Sequence, residues 1–165
     1  MEDKKDIKKI TEKTIAEGGV LALLYFDIHA ATKEDVQNLG AGFIQHIIYT
    51  PGVVYALGEI DEPIAGGEGK NYSSSIELKV LTKNFSTLAN ICLTHSPFSI
   101  EILRPNDIRF SLSEAHELLA LLSATTADYK RLILTKLAKP EEIAELQRQL
   151  VFRAEAGKKL LEKKG

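Results

Sequence analysis

Hydrophobic positions recur along the chain with two different periods, and the switches between them mark its elements. Residues 3 to 17 place Ile7, Ile10, Thr14 and Ile15 at helical spacing, and Gly18-Gly19 ends that helix. Val20 to His29, "VLALLYFDIH", is almost wholly apolar and rich in strand formers, which predicts a central strand buried on both faces. Thr32 to Asp35, "TKED", carries the polar-then-acidic spacing of a helix start, and Val36, Leu39, Phe43 and Ile47 predict a helix over 33–48. Gly40, Ala41 and Gly42 cost helix propensity, so a close backbone approach is expected there.

Pro51-Gly52 closes that segment. Strands are predicted over 53–62 ("VVYALGEIDE"), 72–82 ("YSSSIELKVLT") and 98–104 ("FSIEILR"), with a helix over 85–95 capped by Asn84. Pro105-Asn106-Asp107 turns the chain, and Ser111 with Glu114 forms a capping box. Two long helices follow, over 112–137 and 140–163, with Pro140 at a first helical position. The domain reading is therefore an N-terminal helix (1–18), an α+β domain (19–110) and a C-terminal helical hairpin (111–165).

The order from Val20 to Arg104 is β-α-β-β-α-β, the split β-α-β or ferredoxin-like unit. With its helix running into "TPGVVYAL" (Thr50 to Leu57) and a second strand, this region resembles the small-molecule-sensing ACT and RAM domains. The resemblance implies an antiparallel sheet in the spatial order 4-1-3-2 and an effector-domain-like regulatory role. The roughly 17 residues before the first strand are too few for a helix-turn-helix unit.

Alternation sorts the strands by face. One face is apolar throughout: Val20, Ala22, Leu24, Phe26 and Ile28, then Val54, Ala56 and Ile60, then Ile76, Leu78 and Val80, then Phe98, Ile100 and Ile102. It is expected under the two crossover helices. The other face divides. Leu21, Leu23, Val53, Leu57, Leu81 and Leu103 make an apolar end, for which the C-terminal helices carry suitable stripes: Leu118, Leu122, Tyr129, Leu132 and Ile133, then Ile143, Leu146, Leu150, Gly157 and Leu161. Asp27, His29, Glu59, Asp61, Ser73, Ser75 and Ser99 make a polar end.

That polar end is the candidate ligand-binding site. Carboxylates beside a histidine suit a divalent metal. Asp27 and His29 could instead act as a catalytic acid–base pair, the carboxylate fixing the imidazole tautomer. Uncharged small-ligand contacts are a further reading, and plain solvated strand ends are another.

"IAGGEGKNY", Ile64 to Tyr72, imitates a phosphate-binding loop but fails its rule. Ile64 stands where the first glycine belongs, Asn71 replaces the magnesium-binding hydroxyl, and the segment joins two strands rather than a strand and a helix. A hairpin loop of about nine residues is the reading. No other catalytic or dinucleotide fingerprint occurs, so no cofactor is predicted, a divalent metal being the one alternative.

Charge and composition narrow the classes further. The net charge of −2 argues against broad binding to nucleic acid. No apolar run approaches the roughly 18 residues of a membrane span, and "MEDKKDIKKI" is charged where a signal peptide turns apolar, so a cytoplasmic protein is expected. Cys92, the one cysteine, cannot form an internal disulfide and lies on an apolar helix stripe. His46 and His116 read as packed or surface helix residues, His95 as a cation at a helix end, and "GKKLLEKKG" as a solvated helix terminus.

At roughly 1.5 Å per residue the 112–137 helix would be about 39 Å long, against about 30 Å for a plait of this size. Its overhanging apolar turns predict a homo-oligomer, most simply a dimer. The function expected is a non-enzymatic domain that binds a small molecule or a partner and self-associates. The alternatives are a small metal-assisted or acid–base enzyme and an effector-domain-like regulator.

Overall fold

A computed structural model describes residues 2–66, 71–137, 139, 141–145, 147–149, 151, 152 and 155. It shows an α+β protein with an open antiparallel sheet. The chain divides into two compact units, Met1–Leu118 and Leu119–Gly165. The elements in order are α1 (Glu2–Ala16), β1 (Val20–Ala30), α2 (Lys33–Ile48), β2 (Val53–Ile60), β3 (Ile64–Ala65), β4 (Tyr72–Thr82), α3 (Phe85–His95), β5 (Ser99–Arg104) and α4 (Leu112–Leu137). Residues described between 141 and 155 are helical. Leu146, Leu150, Gly157 and Leu161, expected on the stripe of a second C-terminal helix, lie outside the described residues. No described helix is long and apolar enough to cross a membrane.

Local chemistry sets the helix ends. At the end of α1, Gly18 takes φ +98°, its N–H bonds the Ile15 carbonyl, and the Gly19 N–H reaches back to the Thr14 carbonyl at 2.8 Å. These paired bonds satisfy carbonyls that the helix leaves open. Thr32 accepts from the Asp35 N–H at α2, and Asn84 accepts from the Thr87 N–H at α3. At α4, Ser111 accepts from the Glu114 N–H while the Glu114 carboxylate accepts from the Ser111 N–H, a complete capping box.

The sheet order is β2-β4-β1-β5, every neighbour antiparallel, with β3 adding two pairs to β4. The core lies on one face, where Ala22, Leu24, Phe26, Ile76, Leu78 and Val80 meet Ile47 of α2 and Leu88 and Ile91 of α3. The expectation that the whole apolar face lies under helices fails at β5. Ile100 stands opposite Leu24 and Ile102 opposite Ala22, yet they are 50% and 40% exposed, and Phe98 is also exposed. Helix α2 packs on β1, β2 and β4 and α3 on β4. Three turns of α3, roughly 16 Å long, leave the edge strand bare.

One residue changes sides because its ladder contains a bulge. Val53 pairs with core-side Thr82 and packs against the core, the register shifting before Tyr55. Simple alternation had placed it on the open face, and one extra residue reverses that assignment. A second shift lies in the β1–β5 ladder, where Leu103 is passed over and Leu21 pairs with Arg104.

The apolar end of the open face is covered by α1. Thr11 and Thr14 are buried on the inner face of α1, and the Thr11 hydroxyl lies 2.9 Å from the Tyr55 hydroxyl. Leu21 and Leu81 are buried on this side. Val20 to Phe26 is thus enclosed more than the second half of β1, so the expected burial on both faces holds only up to α1's reach. No residue of α4 is buried.

The glycines of α2 separate cleanly. A β-carbon on Gly40 would lie 2.7 Å from Ile60 Cδ1 and 3.1 Å from Ile28 Cδ1, so Gly40 does mark a close approach; Gly42 faces open space. A β-carbon on Gly19 would lie 2.7 Å from the backbone oxygens of both Thr14 and Thr82. Gly19→Ala is therefore expected to lower stability by roughly 1–3 kcal/mol or more. Gly42→Ala should raise it by roughly 0.5–1 kcal/mol by restricting the unfolded chain and improving helix propensity. Urea midpoints of the two variants check the pair, and equal losses would contradict the assignment.

Candidate functional site

On the open face the antiparallel register builds rows across the sheet. From the covered end these are Tyr55–Leu81–Leu21, then Leu57–Lys79–Leu23–Glu101, then Glu59–Glu77–Tyr25–Ser99. Beyond them Ser75 pairs with Asp27, and Ser73 with His29. The rows pass from apolar to polar as the cover of α1 runs out.

Asp61, just past β2, is tied to β4 by three bonds. Its N–H donates to the Ser75 carbonyl at 3.0 Å, its own carbonyl accepts from the Ser74 hydroxyl at 2.7 Å, and its carboxylate accepts from the Ser75 hydroxyl. Next to it His29 Nδ1 and Ser73 Oγ lie 2.8 Å apart. The imidazole is thus partnered by a serine hydroxyl, and no hydrogen bond joins His29 to Asp27 among the described residues. Both Asp27 and His29 are exposed.

Of the expected site, Asp27, His29, Asp61, Ser73 and Ser75 occupy one neighbourhood. Glu59 and Ser99 stand at opposite ends of the adjoining row, separated by Glu77 and Tyr25. At about 4.8 Å per strand, three strand spacings place them roughly 14 Å apart. No group of three or more His, Cys, Asp or Glu suited to a metal occurs among the described residues. Asp27, His29 and Glu59 therefore do not converge as a three-ligand set.

Between the covered and polar ends, Leu57, Gly58, Glu59, Glu77 and Lys79 line an open groove of about 370 Å³. Glu59 and Glu77 face each other directly across β2 and β4, a like-charge juxtaposition that favours a cation or donor between them. The Tyr25 phenol is held above its ordinary pKa by burial first, then by the hydrogen bond and charge of Glu77 and the charge of Glu101. It remains a hydrogen-bond donor across neutral pH. Glu77 and Tyr25 were legible as open-face residues by alternation, but their cross-strand partners depend on register.

The glycine segment is shorter than its sequence suggested. Ile64 pairs with Ser73 and Ala65 with Tyr72 as β3, and the Gly66 N–H donates to the Asn71 carbonyl at 2.7 Å. Residues 67–70, including Lys70, lie outside the described residues. Two residues between Pro63 and a glycine give no periodic signal, which is why this strand escapes a reading by pattern.

A second polar constellation lies on the helical side, built from residues distant in sequence. Phe26 of β1 stacks edge-on with Phe43 of α2 at 4.7 Å, Phe43 with His95 of α3 at 5.3 Å, and His95 with His46 of α2 at 5.5 Å. Burial lowers the His95 pKa, and the neighbouring His46 lowers it further. Cys92, one turn earlier on α3, packs against the core, and burial raises its pKa, so the thiol stays protonated and unreactive.

The shift of His95 fixes the sign of a pH effect. The fold favours the neutral ring, so this contribution is complete above the ordinary histidine value of about 6.5 and is lost as pH falls through the lowered folded value. Proton NMR titration of the His95 ring should give a midpoint below 6.5. In His46→Ala that midpoint should move part of the way back up, because burial persists while the neighbouring charge is gone. An unmoved midpoint would remove His46 as a cause.

Comparison with known proteins adds one assignment. No curated protein and no solved structure matches the chain. A family model does match, over residues 21–151, and carries no ACT or RAM assignment with it. Its span takes in the whole sheet, α2, α3 and α4, and the chain belongs to the MJ0538 family.

Proposed function

We propose that the protein is a non-enzymatic ligand- or partner-binding domain of the ferredoxin-like type that self-associates through its C-terminal helices. One observation carries the self-association: α4 buries none of its residues although it is strongly apolar. Leu119 is 64% exposed and Leu137 81%, and Leu122, Leu132 and Ile133 are exposed between them. Burying a Leu or Ile fully is worth roughly 1.5–3 kcal/mol, so five half-exposed side chains supply about 4–7 kcal/mol per chain. Two copies supply about twice that, which matches the roughly 4–15 kcal/mol lost when two chains associate.

Ligand or partner binding falls to the open face between the reach of α1 and the polar strand ends. Tyr25, Glu59, Glu77 and Lys79 beside Leu57 offer a few directional polar groups over an apolar floor, the usual composition of a recognition surface. Asp27, His29, Asp61, Ser73 and Ser75 extend it with hydrogen-bonding groups. The carboxylates outnumber Lys79 there, which favours a cationic or donor-rich ligand.

Size exclusion with light scattering at tens of micromolar tests the association. The mass should be about twice the 18.2 kDa chain. Leu122→Glu or Ile133→Glu should return it to the single-chain value with the far-ultraviolet circular dichroism unchanged, since both side chains are exposed. A wild-type mass of one chain would reject self-association.

A further inference from the structure

The two helices that cover the core bring together a pair of histidines distant in sequence. His46 lies in the last turn of α2 and His95 is the final residue of α3. Their rings are 5.5 Å apart between centres and inclined at 78°. We propose that His46 and His95 form a two-imidazole site for a divalent transition-metal ion of the zinc, nickel or copper class, its other positions taken by water.

The ring separation suits one shared ion. A ligating imidazole nitrogen lies about 2.0–2.1 Å from zinc, which puts the ring centre about 3.2 Å from the metal. Two such rings at a tetrahedral angle have centres about 5.2 Å apart, and at a right angle about 4.5 Å. The observed 5.5 Å is within a few tenths of the tetrahedral figure, a gap that side-chain rotation closes.

The surroundings favour the same occupant. Phe43 packs edge-on against the His95 ring and limits its orientation, while His46 is exposed and free to turn toward an ion. Both rings lie at helix C-termini, where the helix dipole favours positive charge. The protonated Cys92 thiol does not join the ligand set, in keeping with the absence of any three-ligand group among the described residues.

An ion held here would bridge α2 and α3. These histidines come together only in the folded chain, so binding would stabilise the fold by mass action. The site is separate from the polar strand ends, and it does not rest on the proposed self-association.

The test uses the full chain without a purification tag, stripped with EDTA and then titrated with zinc, nickel or copper chloride. With at least one of these in large excess the melting temperature should rise by about 5 °C or more. Calorimetry should give one ion per chain. His46→Gln and His95→Gln should each abolish the rise, measured against the variant's own metal-free baseline, so that any intrinsic loss of stability cancels. His29→Gln should keep it. No rise with any of the three metals overturns the proposal. So does a rise that survives His46→Gln, or one that disappears in His29→Gln.

Discussion

The antiparallel ladder between β1 and β4 fixes the position of nearly every other group in the α+β unit. It runs unbroken from Val20 opposite Thr82 to Ala30 opposite Tyr72. Side chains on a strand alternate with a period of two, so a slip of one residue would turn Leu24, Ile76 and Leu78 to water and bury Asp27, Glu77 and Lys79. That cost falls on both faces together, and it locks the register. The shorter ladders to β2 and β5 each contain a shift, and the central one does not.

From this ladder follows an unequal covering of the sheet. The helical side is closed over β1, β2 and β4 by α2 and α3 and open at β5. The other side is closed by α1 only where Leu21 and Leu81 lie, and open where the strands become polar. Polarity follows coverage row by row. The groups available for recognition are thus those that the ladder exposes beyond the reach of α1, and their mutual distances are set by strand spacing rather than by loops.

Much of this was legible in the sequence because local rules and the global fold agree. Helix starts at Thr32, Asn84 and Ser111 were readable because a short polar side chain must satisfy free N–H groups there. The face of most strand residues followed from alternation. Alternation fails at a bulge, and so Val53 was assigned to the wrong side. The cover by α1 was hidden because its inward face uses Thr11 and Thr14, which do not announce themselves as core residues. The pairing of His46 with His95 was invisible for another reason: it depends on how two helices lie against each other, which no single periodic segment encodes. Among the polar residues, alternation put Asp27, His29, Glu59, Asp61, Ser73, Ser75 and Ser99 on one face, and the order 4-1-3-2 already set Glu59 and Ser99 on opposite edge strands; which residues stand opposite one another depends on register, which alternation does not fix.

Helix α1 makes few attachments for the area it hides. Among the described residues, a hydrogen bond between the Tyr55 and Thr11 hydroxyls, two buried threonines and the glycine turn at its end hold it to the sheet. Its local opening therefore costs much less than unfolding the sheet, and its amides should be the first of the helical amides in that unit to exchange with solvent. The same economy makes the N-terminus the sensitive end of the molecule. A chain clipped after Ala16 would keep its β1–β4 ladder but display Leu21, Leu81 and Tyr55 as a continuous apolar patch. Proteolytic trimming at that end would thus give the sheet an adhesive face that the intact chain keeps covered.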